Sequence, residues 1–233
     1  MIKPDWVGIR PLPIGREGYA INLPTPPILE DRRFVTQDFL PPPIGLEFEF
    51  TISPVTPEIA SRTTWRPECP VKLDELRYLT MSFWGFDGRP HTGEMVTNSG
   101  AAQFVVAVFR QLYIAKFPIE EMRVTSQEEL DSPPTGTNNR TESFVCRPAV
   151  GNTGSWSRHA RGLAVDINPF HNPYYFRGIV YPELAISYTD RSNVRPGMIY
   201  PGDVVTQAFE MLGWIWGGTW SSKDWMHFSD SGR

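Results

Sequence analysis

Nine of the chain's 23 prolines fall within its first 43 residues, at positions 4, 11, 13, 24, 26, 27, 41, 42 and 43. Each removes a backbone donor and fixes φ, so neither a helix nor a central strand runs through such a stretch. The spacing predicts an extended arm over residues 1–52, ahead of a folded domain over 53–233. With 233 residues, 40% of them hydrophobic, the chain is long enough for one good core and short for two full catalytic domains.

The 22 basic and 26 acidic residues give a formal charge of −4, and no basic block stands out. That argues against nucleic acid as a partner. No window approaches the roughly 20 apolar residues of a membrane-spanning helix, and the first residues lack the apolar core of a signal peptide. A soluble, monomeric protein is expected, with any export signal absent or already removed.

Leu76 to Phe86 is rich in β-forming residues and leads into an Asp87-Gly88 turn, which predicts a strand and a hairpin. Asn98 or Ser99 is placed to cap a helix over Ala101 to Phe117, with Val105, Val108, Phe109 and Leu112 on one face. A second, weaker helix is expected from Asp203, with Val205, Ala208, Phe209 and Leu212 inward and Gly213 as its stop. Ser126–Asn139 and Ile179–Gly202 lack periodicity and read as long loops. Together these elements predict an α+β domain, helices packed on a small antiparallel sheet. Cys69 and Cys146, 77 positions apart, fit neither a zinc ribbon nor a redox CxxC; one long-range disulfide and two buried thiols both remain open.

A catalytic zinc site takes about three protein ligands and keeps a further position open. Of four histidines, two lie near carboxylates in suggestive contexts. His159 sits in SWSRHARGLAVDINP, where Gly162 permits a tight turn and LAVDI alternates like a half-buried strand ending at Asp166. His227 sits in KDWMHFSD after a glycine-rich run, three positions beyond Asp224. Taken singly, each piece has a structural reading: a hydrogen-bonded histidine, an aspartate capping a turn. His91 and His171 fit a loop hydrogen bond and an Asn/Pro turn better than a metal. Trp214, Trp216, Trp220 and Trp225 are expected to wall the site.

The segments together resemble the VanY-like D-alanyl-D-alanine carboxypeptidase and L-alanyl-D-glutamate peptidase family of zinc enzymes (M15). Its signature S-x-H-x-x-G-x-A-x-D is filled by Ser157, His159, Gly162, Ala164 and Asp166, and Asp224 and His227 fill its second motif. SFVCR, DINPFHNPY and GWIWGGTW extend the likeness over roughly Ser53 to Phe228. Two departures concern the substrate side: Arg140 and Glu142 stand where small polar residues are expected. At the base position, some relatives carry glutamate where this chain has Asp224.

The resemblance implies a fold of the DD-peptidase and hedgehog type, and Zn²⁺ held by His159, Asp166 and His227. It implies Asp224 as the base, Arg147 at the developing oxyanion, and Ser157 and Trp220 in contact with substrate. The implied reaction is hydrolysis of a peptide bond next to a D-amino acid in peptidoglycan peptides, either D-Ala-D-Ala or L-Ala-D-Glu. The implied location is extracellular or at the cell wall, where a Cys69–Cys146 bond would form. The alternative is a non-catalytic, zinc-containing wall-binding module, for which an unliganded Asp224 has no use.

Overall fold

The computed structural model describes residues 1–16, 18–150 and 152–232. Strand β1 (Phe50–Pro54) pairs antiparallel with β2 (Leu76–Trp84), which pairs with β3 (Pro90–Asn98). In β2 the side chains of Leu79, Met81 and Phe83 alternate onto one face and are buried, as the pleat requires. The strand stops two residues short of Phe86, and the chain reverses through Asp87 and Gly88, the glycine at φ 73°.

The long helix spans Ala102–Ile114 rather than 101–117, and buries Val105, Val108, Phe109 and Leu112 as its periodicity predicts. Its start has no side-chain cap, because Asn98 Oδ1 accepts from the Gly100 N–H instead. Its end precedes Pro118, because Lys116 turns left-handed at φ 53° and the Phe117 N–H closes back onto the Leu112 carbonyl. This helix packs on β2 and on the second helix, Val204–Glu210, whose Asp203 accepts from the Thr206 N–H at 2.8 Å.

The second sheet orders its strands Ile215–Trp216, His227–Ser229, Ala164–Asp166, all antiparallel. Phe228 and Val165 pair across it and enter the main core with Phe209 and Trp216. Small antiparallel sheets packed with helices make the domain α+β.

Both segments expected to be loops contain regular structure. Residues 126–139 include a helical turn, Gln127–Asp131, started by a Ser126/Glu129 capping box that is too short to show periodicity. Residues 179–202 include Ile179–Tyr181, paired with Tyr174–Phe176, and a 3₁₀ turn, Ile186–Thr189.

Among its described residues the proline-rich stretch holds one helical turn, Pro27–Glu30, and one isolated antiparallel bridge, Ile14 with Ala20. It folds back on the protein. Leu29 and Phe34 share a second core with Phe170 and Tyr188. Buried Arg32 makes a bidentate ion pair with Glu120, donates to the Thr137 carbonyl at 2.8 Å and lies over the Phe170 ring at 4.5 Å.

Cys69 and Cys146 are bonded, with Cα atoms 5.9 Å apart, inside a third cluster with Leu76, Val96 and Phe144. Among the described residues, no helix is long and apolar enough to cross a membrane.

Candidate metal centre

His159 is held by its neighbours in sequence. Ser157 Oγ accepts the His159 N–H at 3.3 Å and starts the 3₁₀ turn Arg158–Arg161, which ends at Gly162 in the left-handed region at φ 65°. The Gly162 carbonyl accepts from the Asn98 N–H and from Thr97 Oγ1, each at 2.9 Å. A Cβ at 162 would stand 2.5 Å from the Asn98 nitrogen, so only glycine allows this turn to dock on β3. The buried imidazole donates Nδ1–H to the Ser143 carbonyl at 2.6 Å, which leaves Nε2 as a lone-pair donor facing inward.

Asp166 ends one ligand strand, and His227 begins its neighbour directly opposite. His159 Nε2 stands 3.1 Å from His227 Nδ1 and 3.2 Å from Asp166 Oδ2, and His227 Nδ1 lies 3.0 Å from Asp166 Oδ1. A tetrahedral zinc ion with bonds of about 2.0–2.2 Å would set its ligand atoms roughly 3.3–3.5 Å apart. Two imidazole lone pairs and a carboxylate have converged with at most one ring proton, that of His227, to share among them. The donor set therefore fits a zinc ion, and among the described residues this is the group of side chains able to hold a metal. Burial alone would raise the Asp166 carboxyl, but the charges and hydrogen bonds of His159 and His227 hold it well below the usual carboxylate range.

Asp224 stands beside this group and outside it. Its Oδ1 is buried without a hydrogen-bond partner, as is His227 Nε2. Burial, helped by the charge of Asp166 and opposed by His227 and Arg147, pushes the Asp224 carboxyl up to about 7. Gly217 makes room for it, since a Cβ there would lie 2.6 Å from the Asp224 carbonyl oxygen and 2.9 Å from its Cβ.

Of the other expected site residues, Arg147 is half-buried, and its guanidinium donates from Nη1 to the Pro148 carbonyl at 3.2 Å. The Trp220 ring lies 5.3 Å from that of His227. Ser157 is engaged as the cap of the His159 turn. Trp214 and Trp216 belong to the main core, stacked on Phe209 and Phe228, and do not wall the site. His91 is on β3 rather than in a loop, between Asp38 and Asp87. His171 is fully buried, donating to or accepting from Asn139 and bonded through Nε2 to the Arg32 carbonyl at 2.9 Å.

A cleft of about 820 Å³ opens beside the ligands. Asp166, Arg147, Val145, Glu142 and Met226 line it on the metal side, and Lys3, Pro4, Asp5, Val7, Gly8 and Ile9 of the arm contribute to its wall. Sequence patterns carry no signal for that arm contact, nor for the Ser143 carbonyl, which acts through its backbone.

Residues 150–230 match the family model described as D-alanyl-D-alanine carboxypeptidase, a span that holds His159, Asp166, Asp224 and His227. Over that span, which holds the three candidate metal ligands, the chain is similar to that family. No curated protein and no solved structure matches it. Within the carboxypeptidase family span lie both ligand strands and the 3₁₀ turn, whereas Ser143, Glu142 and the arm fall outside it.

Proposed function

We propose that the protein is a zinc metallopeptidase that hydrolyses a peptide bond next to a D-amino acid in peptidoglycan peptides, a D,D-carboxypeptidase or L-Ala-D-Glu endopeptidase. The observation that carries this is the convergence of His159, Asp166 and His227 inside the span matched by the carboxypeptidase family. These three would hold Zn²⁺. The chemistry that a bound zinc ion supplies is Lewis acidity, which polarises a carbonyl and makes water a nucleophile at neutral pH.

The protein's own groups do the rest. Asp224 Oδ1, unpaired and with a carboxyl near neutrality, is suited to accept a proton from the attacking water and return it to the leaving amine. Arg147 presents a cation at the cleft, in reach of the oxyanion or the substrate carboxylate. Ser157 orients His159, and Trp220 flanks His227 where substrate passes. The presence of Asp224 also argues against a non-catalytic wall-binding module, which has no need of a buried, unliganded carboxyl group. The disulfide supports action outside the cytoplasm, at the cell wall. Residues 53–233 form the peptidase domain, acting as a monomer, with residues 1–52 as its arm.

Incubation of the zinc-loaded protein with purified muropeptides, with products identified by mass, tests this. Release of D-Ala or cleavage at L-Ala-D-Glu, abolished by a chelator and restored by zinc, is expected. No hydrolysis across a broad panel would overturn the catalytic reading in favour of the binding module.

A further inference from the structure

The start of the arm is folded. The Val7 N–H closes onto the Pro4 carbonyl and the Arg10 N–H onto the Trp6 carbonyl, each at 3.0 Å, so residues 4–10 form two overlapping turns. Val7 is 3% exposed and enters the second core beside Leu29 and Phe34, with Trp6 packed against it. Around this anchor the backbone is tied down at three points. The Val35 N–H donates to the Met1 carbonyl at 2.8 Å, the Gly8 N–H to Thr137 Oγ1 at 2.9 Å, and the Leu12 N–H to the Pro134 carbonyl at 2.8 Å. Gly8 stands at φ 85°, a left-handed conformation that glycine adopts without steric cost.

With Val7 turned inward, Lys3, Asp5, Gly8 and Ile9 are exposed, and all four line the cleft whose metal side holds Asp166, Arg147 and Met226. Lys3 and Asp5 cancel in charge, so this wall does not select ligands by sign. Ile9, 74% exposed, offers apolar contact instead. The cleft, at about 820 Å³, is near the upper end of the roughly 300–1,000 Å³ that ligand sites span. A peptide of two residues held at the metal leaves the arm side unfilled. A longer one reaches it, since each extended residue adds about 3.3–3.6 Å. Because the wall is fixed by a core and by backbone bonds before any peptide arrives, contact with it costs little ordering.

We infer that residues 3–9 of the arm form a distal substrate subsite, which makes the protein select longer peptides over dipeptides. The wall lies wholly outside residues 150–230, the span matched by the carboxypeptidase family. This deepens the peptidase reading and rests on it for the peptide being held at the metal. Lys3, Asp5 and Ile9 are here specificity-determining residues, with no part in bond cleavage.

Two peptide series test this, one built on D-Ala-D-Ala and one on L-Ala-D-Glu, each lengthened one residue at a time from a dipeptide to a hexapeptide. Dissociation constants for the zinc-loaded full chain are measured by calorimetry, and hydrolysis is followed in the same samples. In the series that binds, the longest peptide is expected to bind about tenfold more tightly than the dipeptide, as burial of one apolar side chain allows. The combined variant Lys3→Ala, Asp5→Ala, Ile9→Ala trims exposed side chains only and should lose most of that gain, with zinc content and unfolding midpoint matching the parent. Should it fail to fold, Ile9→Ala alone should lose part of the gain. Equal affinities for short and long peptides in the parent, binding of neither series, or a gain that survives in the arm variants would overturn the subsite. A gain with length that disappears in the arm variants, without hydrolysis of any peptide, would uphold the subsite and count against the peptidase reading instead.

Discussion

The two sides of the cleft are built on different principles. On the metal side, strands and helices place the ligands: Asp166 and His227 are cross-strand neighbours, and behind them Val165 and Phe228 enter the main core. On the arm side, backbone regularity is nearly absent, and side chains satisfy the main chain instead. Asn22 bonds the Val180 and Glu183 carbonyls, Thr25 that of Leu184, Arg32 that of Thr137, and Arg195 those of Glu30 and Ser187. A ladder tolerates the loss of one side chain because its neighbours hold the register. A set of single long-range side-chain bonds does not, so the two sides should fail differently.

The largest effect is expected on the metal side. His159→Ala, Asp166→Ala or His227→Ala should each release zinc and abolish hydrolysis, while circular dichroism stays close to that of the parent. Full zinc occupancy in His227→Ala, measured by metal analysis, would remove it from the ligand set. Asp224→Ala comes next. It should retain zinc and fold yet lose about 10²–10⁴-fold in turnover, the usual contribution of a positioned proton acceptor. Loss of the metal in this variant would make Asp224 a ligand instead.

On the arm side, Arg32→Ala leaves the buried Glu120 without its countercharge, with only the Asn139 amide still donating to it, and should cost about 3–5 kcal/mol in denaturant unfolding. Limited proteolysis should then cut first within residues 1–43, with zinc binding intact; simultaneous loss of zinc would show that the two sides are one cooperative unit. Replacing both Cys69 and Cys146 by Ala should cost about 2–5 kcal/mol. Because Cys146 precedes Arg147, that variant should disturb turnover more than zinc affinity.

The smallest effect concerns pH. Burial, with the charges of Arg32, Arg195 and Arg191, pushes the His171 imidazole down to about 3. The unfolded chain therefore takes up a proton below its ordinary pKa of about 6.5 that the folded chain refuses. Stability is fully present above that value and should fall, as pH drops toward 5, by up to about 1 kcal/mol per pH unit. Denaturant midpoints at pH 7, 6 and 5 should fall less steeply in His171→Gln, and equal slopes would exclude His171 as the source.

This contrast also explains what could be read from the residues. The ligands were legible because His159, Gly162 and Asp166 lie within eight positions and Asp224 and His227 within four, so local spacing carries the geometry. The long helix was legible because its apolar face repeats, although its ends were set by Asn98 and Lys116, whose conformations are local choices without a periodic trace. The arm was legible only as a stretch that resists regular structure. Its docking depends on pairs such as Arg32 with Glu120, 88 positions apart, which no pattern in sequence reveals. Arg140 and Glu142 stood out as departures, but their shared network is visible only once Thr125 and Glu129 are beside them.

The pairing of His227 with Asp166 has a consequence for how chain length can vary in this protein. Side chains alternate across a strand, so a shift of one residue in His227–Ser229 would turn His227 away from Asp166 and bring Phe228 out of the core. A single inserted or deleted residue inside that strand is thus a change of parity, felt at the metal and in the core together. The same change at residues 192–194, exposed and outside every strand and helix, alters only the length of a connection, for which the entropic cost grows slowly. Natural variation in length should therefore collect in the connections around the cleft, while the spacing within the two ligand strands stays fixed to the residue.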